Sequence, residues 1–175
     1  MSAPYSRHVA VYTGVFDPIH LGHYDLIQRG SRLYDRHDLK AVDEHMHPEF
    51  SSHSPNVRPL LEAARSGGGP HVDVRPAYKE FVKTFYVGLP DLRPVRQEVM
   101  VEDEGLMAMT RWEATHTGVF FGVPPTGKAL HFSTADRYRL QDRLLVEHWD
   151  VVDAQEAWLA LGIVVRPGPS ASSAR

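Results

Sequence analysis

Apolar and polar positions alternate strictly from Leu130 to Leu140. Leu130, Phe132, Thr134, Asp136, Tyr138 and Leu140 fall on one face; His131, Ser133, Arg137 and Arg139 fall on the other. Period two predicts a strand with one buried face, and that face carries a single carboxylate. A second extended run spans Leu144 to Val152, after Gln141-Asp142-Arg143. Upstream, Val95 to Glu102 and Leu106 to Thr115 read as two more strands, joined by the hairpin turn Asp103-Glu104-Gly105. In the second of these, Leu106, Ala108, Thr110, Trp112 and Ala114 alternate with Met107, Met109, Arg111 and Glu113. Gly118 to Lys128 contains Gly, Pro-Pro and Thr-Gly and reads as a loop.

The first half of the chain has helical spacing instead. Residues 1–7 are a loose arm, and His8 to Thr13 is a short apolar run of buried-strand type. Leu21 to Tyr34 is a predicted helix, with Tyr24, Ile27, Ser31 and Tyr34 on one side and Gly30 weakening it by about 1 kcal/mol. Leu39, Val42 and Met46 predict a short helix that ends before Pro48. His53 falls in a turn-rich stretch, and Ser66 to Pro70 is a flexible loop. Tyr78, Phe81, Val82 and Phe85 predict a helix that GLPDLRP breaks. Ala154 to Leu161 is a short terminal helix or strand remnant, and residues 166–175 are a disordered tail. Helices followed by at least four consecutive antiparallel strands indicate an α+β fold. Such a sheet can curve, so that helices cover one face and enclose a pocket.

The hairpin at Gln141-Asp142-Arg143 decides what Asp136 faces. A three-residue loop pairs Leu140 with Leu144 and sets Asp136 opposite His148. A two-residue loop sets Trp149 opposite Asp136 and sends His148 to the other face. The shorter loop usually requires positive φ, which Arg143 disfavours, so the first register is expected. Asp136 and His148 are then the candidate catalytic pair. An acid on an apolar face suits proton abstraction beside a carbonyl, with the imidazole orienting it or moving the proton. The structural alternative is a buried ion pair between Asp136 and an arginine such as Arg111.

Composition narrows the classes. The 175 residues suit one globular domain, and a net charge of −3 gives no basic field for nucleic acid. There are no cysteines, hence no disulfides or thiolate metal sites. No apolar run is long enough to span a membrane, and no signal-peptide pattern opens the chain, so a cytoplasmic location is the default. Histidine is abundant, at 11 residues. His45 and His47, two apart, point away from each other on a helix and fit no zinc pattern, so no metal is expected.

Two stretches resemble known families. TGVFDPIHLGH, within VAVYTGVFDPIHLGHYDLIQRGSRLYDR, resembles the cytidylyltransferase-like nucleotidyltransferases, and among them phosphopantetheine adenylyltransferase. That resemblance implies nucleotide binding by Thr13, Asp17, His20 and His23, with ATP and Mg as the alternative cofactor. The histidines would sit at the phosphates, at a helix N-terminus. The remaining βα units and the nucleotide loop of such enzymes are not recognisable in the sequence.

The longer stretch resembles the SnoaL-like polyketide cyclases, of the nuclear transport factor 2-like superfamily. It is carried by DLKAVDEHMHPEFSSHSP, KEFVKTFYVGLPDL and THTGVFFGVPPTGKALHFSTADRYRLQDRLLVEHWD. This implies a cone-shaped α+β fold, with a curved antiparallel sheet packed against N-terminal helices. It also implies cofactor-free ring closure or isomerisation of a small apolar carbonyl substrate, and a homodimer. Asp136 corresponds to the family's catalytic aspartate. Its pocket histidine and tryptophan positions correspond to His53, His116, His148 and Trp149. Tyr86, Trp112 and Phe121 are expected in the pocket wall. Where this family usually has Gly, the chain has Arg143. Residues 1–35 are expected to supply a strand and the first helix, 36–165 the cone and 166–175 the tail. A non-catalytic ligand-binding or dimerisation module is a further alternative.

Overall fold

The computed structural model describes residues 32–68, 71–102 and 105–164. Its elements are α1 (Arg32–Asp35), α2 (Lys40–His45), β1 (Met46–Ser52), α3 (Arg58–Ser66), α4 (Arg75–Gly88), β2 (Arg93–Glu102), β3 (Gly105–Thr115), β4 (Ala129–Gln141), β5 (Leu144–Asp153) and α5 (Gln155–Leu161). The strands form one curved five-stranded sheet in the order β1-β5-β4-β3-β2. Strands β2 to β5 are antiparallel, and β1 joins β5 in parallel. This is the α+β architecture expected. Only Arg32 to Tyr34 of the predicted helix over Leu21 to Tyr34 lie among the described residues, in α1, and the nucleotidyltransferase-like motif lies outside them.

Two elements differ from the sequence reading. Met46 opens a strand and does not close a helix, and β1 carries Pro48. Proline is tolerated there because β1 is the sheet's edge. The RPLLEAARS segment is helix α3, which the sequence reading did not assign. Proline in its first turn fits there, because that N–H has no helical partner in any case.

Inner and outer faces alternate as the period-two pattern requires. On β3, Leu106, Ala108, Thr110, Trp112 and Ala114 are buried, and they stand opposite Tyr138, Asp136, Thr134, Phe132 and Leu130 of β4. Helix α4 covers this inner face with Tyr78, Phe81, Val82 and Phe85, joined by Phe50 of β1. The Gly118–Lys128 loop is fastened to the end of α4, where Thr117 and Gly118 N–H groups both donate to the Gly88 carbonyl (3.1 and 3.2 Å). The backbones approach so closely that a Cβ on Gly118 would lie 1.9 Å from the Val87 carbonyl oxygen.

Neither expected hairpin register is adopted. The loop has two residues, Asp142 and Arg143, both with positive φ (52° and 65°), and Gln141 pairs with Leu144. The register then shifts by one between Arg139 and Leu140, a bulge that leaves Val146 unpaired. Asp136 therefore stands opposite Asp150, and His148 opposite Tyr138. The bulge reverses the change of face that the short loop would have imposed, and His148 points inward.

Candidate active site

The inner face of the sheet, α4, the 118–128 loop and α5 enclose a cavity of about 140 Å³. Its wall is mostly aromatic and aliphatic, including Phe81, Phe85, Trp112, Phe120, Phe132 and Trp158. A second, smaller cavity meets the first at Tyr34, Tyr78, Trp112, Asp136 and Tyr138. Asp136 thus borders both cavities.

The polar groups converge on β4, β5 and the end of β1. His148 Nε2 is 3.2 Å from Asp136 Oδ1, and its Nδ1 is 3.0 Å from Ser52 Oγ. Ser52 Oγ also accepts from the Ser54 N–H at 3.2 Å. A neutral imidazole satisfies all three contacts in one arrangement: Nε2–H donates to Asp136, and the Ser52 hydroxyl donates to Nδ1. The ring lies between Tyr138 (centroids 4.7 Å apart) and Phe50 (6.2 Å), so its tilt is fixed. Asp150 is anchored at Oδ2 by the buried Ser54 hydroxyl at 2.9 Å, while its Oδ1 is buried with no hydrogen-bond partner. An acceptor left unsatisfied in an apolar cavity costs about 1–3 kcal/mol.

Three phenols share the cavity. Burial pushes Tyr34 and Tyr138 well above the ordinary tyrosine value, with the Asp136 charge adding to both. Burial also pushes Tyr78 up to about 12. These hydroxyls keep their protons near neutral pH; Tyr34 hydrogen-bonds to Tyr78, which leaves the Tyr78 and Tyr138 hydroxyls as donors to an oxyanion. Asp136, His148 and Asp150 are also the described residues whose donor atoms converge on cation dimensions, all within 4.8 Å. His148 Nε2 already serves Asp136, so a cation there would displace that hydrogen bond.

Of the candidates read from the sequence, the structure brings Asp136, His148, Trp112 and Phe121 to the cavity wall. Trp112 Nε1 donates to Thr134 Oγ1 at 3.1 Å. Arg111 is exposed on the outer face opposite Ser133, and so is not the structural partner considered for Asp136. Trp149 lies on the outer face, stacked on His53 (4.7 Å) with the Arg137 guanidinium 4.8 Å from its ring centroid. His53 Nε2 meets Glu147 there at 2.8 Å, and hydrogen bonds from His53 and Arg139 hold the Glu147 carboxyl below the usual range. Trp149 and Glu147 are outside because outer positions on β5 alternate with His148 and Asp150, and His53, just past the end of β1, packs against them there. His116 is fully buried behind Phe120, with Nδ1 3.0 Å from Thr126 Oγ1, and does not line either cavity. Tyr86 donates to the Leu33 carbonyl and stacks on His37 at 4.1 Å, away from both cavities; burial pushes its hydroxyl up to about 12. Thr13, Asp17, His20 and His23 lie outside the described residues.

The sequence reading missed Asp150, Ser52, Ser54 and the Tyr78 hydroxyl. Asp150 had a signal: two residues from His148 on a strand, it must share that residue's face.

A curved sheet closed by helices over an apolar cavity, with carboxylates and an imidazole on its inner wall, defines a cone-shaped α+β protein with a small-molecule pocket. The chain belongs to the SnoaL-like polyketide cyclase family, whose model matches residues 25–161. AclR from Streptomyces galilaeus, described as a proposed hydroxylase, has the same fold, with a TM-score of 0.67 and 22% identity. That match covers 85% of this chain and 89% of AclR. A proposed SnoaL-like polyketide cyclase from Jannaschia sp. CCS1 gives a TM-score of 0.66 at 20% identity, covering 87% and 100% of the two chains. A short stretch is 71% identical over 28 residues to phosphopantetheine adenylyltransferase of Nostoc punctiforme, or 16% of this chain. The chain spans only 15% of that relative's length. No helix among the described residues is long and apolar enough to cross a membrane.

Proposed function

We propose that this chain is an acid/base enzyme that cyclises or isomerises an apolar, polyketide-like carbonyl compound without a cofactor. The observation that carries the reading is Asp150 Oδ1, an unpartnered carboxylate oxygen buried in an aromatic cavity and set opposite Asp136. Asp150 Oδ1 removes a proton from a carbon beside a carbonyl. The resulting enolate oxygen is held by the protonated phenols of Tyr78 and Tyr138. In a ring closure the enolate carbon bonds to a second carbonyl carbon, and the proton held by Asp150 passes to the new alkoxide. Asp136, oriented by His148, serves as the second carboxylate of the proton exchange. Membership in the family supports a homodimer in this role, which sedimentation would test.

The test uses β-keto esters and cyclic β-diketones in D₂O, with deuterium incorporation at the acidic carbon followed by NMR. Exchange should depend on the protein and be lost in Asp150→Asn. A wild-type protein that accelerates exchange of none of them would overturn the reading.

The 28-residue match favours a second reading for the N-terminal segment, binding of ATP with Mg through His20 and His23. Thermal stabilisation by Mg-ATP that vanishes in His20→Ala would support it.

A further inference from the structure

Three of the side chains lining the larger cavity are exposed, Asn56, Phe121 and Val152, and they mark its mouth. Phe121 is the unusual one. It is 49% exposed and its backbone has φ +46°, followed by Gly122 at +80°. Phe120 and Val123 exchange both backbone hydrogen bonds around this pair (3.1 and 2.9 Å), making a tight two-residue turn. Asn and Gly fill such positions with least strain, and a bulky aromatic fills them with most. The ring is half in water, so the fold gains little from it. It is nevertheless held in a defined place. Its centroid lies 4.5 Å from Phe120, 6.0 Å from Phe85 and 6.3 Å from Phe81. The turn itself is anchored by Phe120, whose side chain fills the space a Cβ on Gly88 would need: that atom would lie 2.6 Å from the Phe120 Cβ and 2.7 Å from its ring Cδ2. A strained conformation and an exposed aromatic at one cavity mouth are both explained by an apolar molecule that the ring covers.

We propose that Phe121 is the specificity-determining latch of this cavity. Its ring closes over the outer end of the substrate, opposite Val152, while the Asn56 amide meets a polar substituent there. The preferred class is then a flat, largely apolar molecule with one carbonyl or hydroxyl at the end facing the mouth. This rests on the reading of the cavity as the substrate site, but not on the proton chemistry.

The test is fluorescence titration with the neutral apolar probe N-phenyl-1-naphthylamine, together with thermal melts. Phe121→Gly and Phe121→Asn suit the turn and lack the apolar ring; both should melt no lower than wild type and bind the probe about tenfold more weakly. Phe121→Leu keeps an apolar cover and should stay within about threefold of wild type. Probe binding involves no proton transfer, so a failure of the acid/base reading would leave this result unaffected. Unchanged probe affinity in Phe121→Gly and Phe121→Asn would overturn the proposal. A fall of several degrees in both melting temperatures would do so too, by making the ring structural.

Discussion

His148 Nε2 lies 3.2 Å from Asp136 Oδ1 although the sheet sets His148 opposite Tyr138. The contact is diagonal, two residues along the same inner face, a distance long side chains can bridge. Directly across from Asp136 stands Asp150 instead. Asp136 is therefore held by an imidazole and faces a second carboxylate, and the two acids have different tasks. One is hydrogen-bonded to a ring donor; the other keeps an oxygen free.

Asp136→Asn separates charge from geometry. The asparagine carbonyl can still accept from His148 Nε2–H, so the melting temperature should hold or rise slightly as like-charge repulsion with Asp150 disappears. Proton exchange into a β-keto ester should fall by about a hundredfold, the usual worth of a positioned acid or base. Unchanged exchange kinetics would remove Asp136 from the chemistry.

Arg143 adopts φ 65° in the two-residue turn between β4 and β5. An L side chain in that conformation costs about 1–2 kcal/mol. Arg143→Gly should therefore raise the unfolding free energy by roughly that amount, seen as a higher denaturant midpoint with no change in slope. The side chain is exposed, so no lost packing offsets the gain. A lower midpoint would mean that the arginine makes a contact worth more than the strain it carries.

The same turn shows where reading the sequence stopped. Alternation on β3 and β4 was legible because one face of each is buried, and burial writes period two into the residues. The helical stripe of Tyr78, Phe81, Val82 and Phe85 was legible for the same reason. The register of β4 on β5 was not. It depends on a strained Arg143 and on a bulge at Val146, and neither has a compositional signature. The bulge restored the inward face of His148 that the three-residue loop had been expected to give, and moved its partner from Asp136 to Tyr138. His53 and Trp149 were expected in the pocket through family resemblance alone; face assignment along β5 puts Trp149 outside, with His53 stacked on it. β1 went unread because Pro48 argues against a strand until the edge position is known.

The loop over the cavity depends on Gly118. A Cβ there would lie 1.9 Å from the Val87 carbonyl oxygen, which is backbone and has no rotamer to move aside. Gly118→Ala should cost about 2 kcal/mol or more by forcing the loop off the end of α4. Phe120 and Phe121 would move with the loop, so probe affinity should fall along with the melting temperature. Retention of both would show that the loop can shift without the cavity noticing.

Tyr78 links the cavity to alkaline stability. Burial raises its hydroxyl to about 12; the hydrogen bond with Tyr34 works against this, and the charges of Asp136 and Asp150 add to it. An unfolded tyrosine titrates near 10, at about that value in model peptides. The folded pKa is the higher one, so between these values the native state binds more protons than the unfolded state. The contribution is fully present below about pH 10 and is lost as pH rises through the folded value. Each such phenol steepens the fall by up to about 1.4 kcal/mol per pH unit, and Tyr34 and Tyr138 shift in the same direction. Urea unfolding followed across this window should give a smaller loss per pH unit in Tyr78→Phe than in wild type. That comparison is of slopes, so the uniform loss from breaking the Tyr34 hydrogen bond does not obscure it. Identical slopes would mean that the Tyr78 hydroxyl ionises as freely in the fold as in water, and that it is not the protonated donor the cavity needs.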